Sequence, residues 1–255
     1  MMKPATVEGI KKIYYDNLKQ MRHDLTECLK IAEFVPIWFG GKAIFYHHKA
    51  LLEAKKGFLE DEHLMMVREA LIAFGMASRG ADLLSIDDFK KPILKHKSAL
   101  INMKSKFRSK RIDRLTKPEI DELVELMLKI KVNRDATETR IVSASKALHH
   151  ILPHTIPPID RQYSLRFMTR PYKSRKFYDD KTIPINPDEV QLAQIFIEGM
   201  RDFYNTEEGK HLVSMELVKP NPQVAIVGSF NTSLPKVFDN LIVAFVLLYH
   251  TKFSM

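Results

Sequence analysis

Apolar residues return at helical spacing through most of the chain. After Thr6, the residues Val7, Ile10, Ile13, Tyr14 and Leu18 fall on one helix face, and the Thr6 side chain is placed to cap it. Further stripes follow at Leu25, Leu29 and Ala32, at Ile44, Leu51 and Leu52, and from Leu64 through Val67 and Leu71 to Phe74. Breaks at Ser78-Arg79-Gly80 and Leu84-Ser85 precede a long helical region that resumes with Ile93, Leu94, Leu100, Ile101 and Met103. Thr116-Lys117-Pro118-Glu119 reads as a helix start, because proline in the first turn needs no amide partner and an acid suits the positive end of the helix dipole. Helices are also predicted over Thr137 to Leu152, Asp188 to Tyr204, Glu207 to Met215 and Leu234 to Thr251. One short strand is predicted near residues 223–228, around Val224 to Val227. The expectation is an all-α protein built as one compact unit of two lobes, 1–84 with 188–255, and 85–187.

Hydrophobic content of 45% and charged content of 28% over 255 residues is the balance of a folded globular protein. The apolar run Leu241 to Tyr249 is too short to cross a bilayer and lies between Asp239 and Lys252, so no membrane role is expected. The opening residues mix charge with apolar positions and contain no continuous apolar stretch, and the single Cys28 has no disulfide partner within the chain. Both lead to the expectation of a cytoplasmic, reducing compartment. No glycine-rich phosphate loop is present, which removes the nucleotide triphosphatases, and the lone cysteine removes zinc ribbons and iron–sulfur clusters.

The formal charge of +9 attracts polyanions, and equally serves solubility. Two segments favour nucleic acid. From Lys90 to Arg114 the chain carries Lys104, Lys106, Arg108, Lys110 and Arg111 among its cations, with Asp113 the sole acid after Asp88. Such a stripe suits a phosphate backbone. After Asp160, the residues Arg161, Tyr163, Arg166, Phe167, Arg170, Tyr172 and Phe177 interleave cations with rings, an arrangement for phosphate contact and base stacking that is equally a helix core with solvated arginines. Trp38 and Phe39 beside Gly40-Gly41 read as a core anchor at a turn, and Ser229 to Pro235 as the capped start of the last helix.

The segment richest in chemistry runs Ser143-Ala144-Ser145-Lys146-Ala147-Leu148-His149-His150, then through Pro153 to Ile156-Pro157-Pro158-Ile159-Asp160-Arg161-Gln162-Tyr163. The two prolines force the connector to be extended, with a new helix restarting at Asp160. A rigid connector of this kind fixes the separation of an amine and a carboxylate. His149, His150 and His154 do not form a metal site, because adjacent helical residues point about 100° apart and no carboxylate stands four residues away. One of the neighbouring pair is expected in the core and the other at the surface.

This helix, connector and aspartate resemble the helix-hairpin-helix superfamily of base-excision DNA glycosylases, the endonuclease III-like group, over about residues 140–167. The resemblance implies an all-helical, two-lobed DNA-binding protein without a cofactor, in which Lys146 attacks the sugar and Asp160 assists departure of the base. Where that group carries glycines before the lysine, this chain has Ser143, Ala144 and Ser145. The patterns SK-x-LHH and PPIDR-x-Y also resemble a bacterial and archaeal group to which no activity is attached. From the residues themselves, Lys146 reads equally as a solvated helix residue and Asp160 as a helix cap. DNA is expected as a partner before RNA; the alternatives are a non-catalytic helical nucleic-acid-binding protein and a helical protein-interaction module.

Overall fold

The computed structural model describes residues 6–33, 41–76, 82–107, 111–134, 140–174, 177, 188–218 and 231–253. Twelve α-helices lie among them: α1 (Val7–His23), α2 (Leu25–Ala32), α3 (Gly41–Lys56), α4 (Asp61–Ala73), α5 (Ile86–Lys95), α6 (Lys97–Lys106), α7 (Lys117–Lys129), α8 (Arg140–Ile151), α9 (Ser164–Thr169), α10 (Glu189–Tyr204), α11 (Glu207–Ser214) and α12 (Leu234–Phe253). The fold is all-α. No strand occurs among the described residues; a single antiparallel bridge, Leu83 to Asn133, ties the approach to α5 to the end of α7. The strand expected near 223–228, the Trp38-Phe39 turn and most of 175–187 lie outside the described residues.

Helix starts follow the capping chemistry of the sequence. The Thr6 hydroxyl accepts from the Gly9 amide at 3.2 Å, and the Glu119 carboxylate accepts from the Thr116 amide at 2.8 Å, closing the first turn of α7. The long helical region after Leu84 is divided at His96, which ends α5 and begins α6. The helix predicted to restart at Asp160 begins instead at Ser164, after a turn over 161–163.

Buried apolar residues from Ile10 to Tyr249 belong to one cluster, with members in 1–84, 85–187 and 188–255 alike. Its centre is helix α8, which packs against α3, α4, α7 and α10. Buried on nearly all sides, α8 depends on small residues, Ser143, Ala144, Ser145 and Ala147, to let its neighbours approach. Helix α1 joins this core to the C-terminal helices. The Tyr14 ring stacks on Phe196 with centroids 5.9 Å apart, and its hydroxyl donates to the Phe196 carbonyl at 3.0 Å. Buried Asn17 donates to the carbonyls of Phe167 at 2.6 Å and Arg170 at 2.8 Å and accepts from the Tyr172 amide at 3.1 Å, so one side chain finishes the end of α9.

Tyr14 can lie against α10 only because residue 199 is glycine. A Cβ there would stand 2.1 Å from Tyr14 Cε1, and that ring is fully enclosed. Gly199→Ala is therefore expected to lower unfolding stability by about 1–3 kcal/mol, the usual cost of overpacking a filled core, measured by urea denaturation; an unchanged midpoint would show that α1 and α10 can separate freely.

Candidate functional site

Three polar side chains of α8, Ser143, Ser145 and His149, make hydrogen bonds inside the protein. Ser143 Oγ donates to Asn133 Oδ1 at 3.1 Å. Ser145 Oγ accepts from the Ile159 amide at 3.0 Å, and His149 Nδ1 donates to the Ile156 carbonyl at 2.7 Å. The connector 156–159 is thus held at both ends against α8. Pro157 and Pro158 carry no amide hydrogen, so the buried connector presents few donors that require a partner.

This clasp sets the register of the two residues singled out by the sequence. Ser145 is bonded to Ile159, and the next residue on each side is Lys146 and Asp160. Both are half-buried. Asp160 Oδ1 accepts from the Tyr163 amide at 2.6 Å, which makes it the cap of the turn before α9. Its Oδ2 and the Lys146 amine make no hydrogen bond or ion pair among the described residues.

Both groups act on a second carboxyl, Asp239. Helix α12 opens with Ser233 Oγ accepting the Lys236 amide at 3.3 Å, and its first turns carry a buried ion pair between Lys236 and Asp239, with side chains 7% and 8% exposed. Burial raises the Asp239 carboxyl above its usual range against the opposing pull of Lys236. Asp160 raises it further and Lys146 lowers it, which brings all four charged groups into one electrostatic neighbourhood.

A histidine cluster adjoins it. His47, from α3, meets His150 at 2.7 Å between their Nδ1 atoms and Thr232 Oγ1 at 2.7 Å through Nε2, and its ring stacks on His149 with centroids 5.5 Å apart. Burial pushes all three imidazoles below their ordinary range and Lys236 lowers each further; His149 lowers its two neighbours as well, and itself reaches about 3 although its bond to the Ile156 carbonyl pulls the other way. Neutral rings carry one N–H each, so one of His47 and His150 bears its proton on Nδ1 and donates it to the other. If His150 donates, His47 donates onward to Thr232; if His47 donates, Thr232 donates to it. The chain Thr232–His47–His150 therefore has two proton arrangements with the same atoms. His63 of α4, pushed down to about 4 by burial, accepts the Leu59 amide at 3.0 Å and steadies a turn where Leu59 has a φ of 64°.

Several sequence expectations are corrected. His149 and His150 are both buried, at 2% and 3% exposure, so neither reaches the surface. Ser143, Ala144 and Ser145 are the buried middle of α8, where the amides are spent on the helix, so these three residues offer no free amide to a phosphate. Arg166 is 4% exposed and belongs to the core, as do Phe167 and Phe177; Tyr163 is half-buried against that core, and Arg161 is half-buried next to Asp160.

The Lys90 to Arg114 stripe is not one helix face, and acids from other elements, with Asp113 of the stripe itself, meet it. Lys90 pairs with Asp61 at 2.7 Å, Lys97 with Glu60 at 3.3 Å, Lys106 with Glu122 at 2.6 Å and Arg111 with Asp113 at 3.1 Å. Lys104 places its amine 3.7 Å from the centre of the Phe58 ring. Arg108 and Lys110 lie outside the described residues.

Sequence reasoning missed His47, Thr232, Lys236 and Asp239. The signal for the last two was present: a lysine and an aspartate three residues apart interrupt an otherwise apolar terminal helix. Compared with protein-family models, curated proteins and solved structures, the chain finds no match.

The buried histidines make a pH prediction. Their folded pKa values lie below the ordinary value near 6.5, so the unfolded chain binds more protons below that pH; their contribution is complete above about pH 6.5 and is lost as pH falls, at up to about 1.4 kcal/mol per pH unit for each ring. Urea unfolding at pH 7.5 and 5.5, a window above the titration of ordinary carboxylates, is expected to show a loss of a few kcal/mol. Equal stability at the two values would mean that these rings are not buried neutral.

Proposed function

We propose that the chain is a DNA-handling enzyme of the helix-hairpin-helix glycosylase kind, with Lys146 as amine nucleophile and Asp160 as the supporting carboxylate. The observation that supports this reading is the clasp from Ser145 to Ile159, which fixes the backbone next to Lys146 against the backbone next to Asp160; both residues are half-buried, and each influences the buried Asp239. An amine held by an ion pair could not attack, and Lys236 is so held. Lys146 is not.

The chemistry runs on a nucleotide turned out of the stack, since the glycosidic bond is out of reach within it. The Lys146 nitrogen uses its lone pair to bond the sugar carbon C1′ as the C1′–base bond breaks. The base leaves with that bond's electron pair and takes one proton from the ammonium formed on the lysine nitrogen, and as the ring opens O4′ takes a proton from water. Opening of the sugar ring then gives a protonated Schiff base. Asp160, negatively charged, stabilises the positive charge that develops on the sugar during departure.

A second reading rests on the hydrogen bond from the Tyr163 amide to Asp160. A carboxylate so used is a cap, and the segment would then belong to a non-catalytic nucleic-acid-binding protein or a protein-interaction module. Borohydride trapping separates these. On duplexes carrying an abasic site or a panel of damaged bases, a covalent adduct is expected that Lys146→Ala abolishes without lowering the melting temperature, while Asp160→Asn slows base release and leaves DNA affinity within about two-fold. No adduct on any substrate, with Asp160→Asn costing about 1 kcal/mol of stability instead, would favour the structural reading.

A further inference from the structure

We infer that the outer face of α3 is a stacking platform for single-stranded nucleic acid, built from Phe45 between Lys42 and Lys49. The inference rests on the proposed nucleic-acid partner and adds to it a surface and a strand state. Phe45 is 51% exposed, and it is the one exposed Phe or Tyr among the side chains described. Every other described Phe or Tyr is buried or half-buried, including those of the segment after Asp160.

Helical spacing puts Lys42, Phe45 and Lys49 on one stripe, at i, i+3 and i+7. Lys49 Nζ lies 5.6 Å from the centre of the Phe45 ring, and Tyr46 meets the same ring edge-on with centroids 5.3 Å apart, fixing its orientation. Both lysines are exposed and have no ion pair among the described residues. That contrasts with Lys90, Lys97, Lys106 and Arg111, each matched to an acid. The one acid of α3, Glu53, is engaged by Lys56 at 2.7 Å.

An exposed ring flanked by unneutralised cations fits a partner with flat apolar faces and a repeating negative charge. A single strand offers both, bases to stack on Phe45 and phosphates for Lys42 and Lys49, whereas in a duplex the base faces are already covered by their neighbours. The same helix presents His47 on its inner side to His150, a ring that Lys146 also influences, so the platform lies on the outer side of a helix that contributes to the histidine cluster.

Fluorescence anisotropy with labelled oligo-dT and a duplex of equal length, each over a salt series, tests this. Phe45→Ala is expected to weaken single-strand binding roughly ten-fold, with duplex affinity changed less than two-fold, and Phe45→Trp to retain single-strand affinity while the new indole is quenched when the strand is added. The double change Lys42→Gln with Lys49→Gln should reduce the single-strand salt slope by about 1.4, as expected for two lost phosphate contacts. Circular dichroism melts confirm that the variants fold. If the unaltered protein binds no nucleic acid even at low salt, the proposed function and the platform both fall. If it binds but Phe45→Ala has no effect, or weakens single strand and duplex alike, the platform alone is overturned.

Discussion

The hydrogen bond from the Ile159 amide to Ser145 is the constraint on which the arrangement around α8 depends. A connector containing two consecutive prolines cannot join a sheet or continue a helix, yet this one is packed inside the protein. Burial is tolerable only if its remaining polar groups are met. The Ile156 amide reaches back to Leu152 at 3.0 Å, the Ile156 carbonyl takes the His149 imidazole, and the Ile159 amide takes the Ser145 hydroxyl. Serine and histidine four residues apart on α8 thus read the connector like two teeth of a key. Lys146 and Asp160 inherit their placement from this match.

Around that clasp the protein concentrates polar groups where a helical core would ordinarily hold leucine. The Lys236–Asp239 pair, His47, His149 and His150 are enclosed, and His149 Nε2 meets no partner among the described residues. A buried ion pair seldom improves on well-packed apolar residues, and an unmet imidazole nitrogen is a net cost. The cluster therefore weakens the fold in exchange for a set of charges and proton-bearing rings beside an accessible amine. Such a concentration of costly groups is the physical feature, independent of the resemblance, that makes this region the candidate site.

Much of the fold was legible in the chain. Helical periodicity, the cap at Thr6 and the box at Thr116 to Glu119 depend on residues within a few positions of one another, and the structure has these helices. The candidate pair was legible for the same reason, since Lys146 and Asp160 are close in sequence. What escaped was long-range. His47 meets His150 and Thr232 across 103 and 185 residues, and Asn17 meets Phe167 across 150, so no local pattern announces them. The charge stripe misled for a related reason: its neutralising acids, Glu60, Asp61 and Glu122, come from α4, the turn before it and α7.

The clasp is tested most directly by native-state hydrogen exchange at the Ile159 amide. Buried and bonded to Ser145, that amide is expected to exchange only through substantial unfolding, and in Ser145→Ala to exchange at least ten-fold faster while amides in the middle of α10 keep their protection. An Ile159 amide that exchanges like a solvated loop in the unaltered protein, or that is indifferent to Ser145→Ala, would contradict the claim that α8 holds the connector and sets Asp160 in register with Lys146.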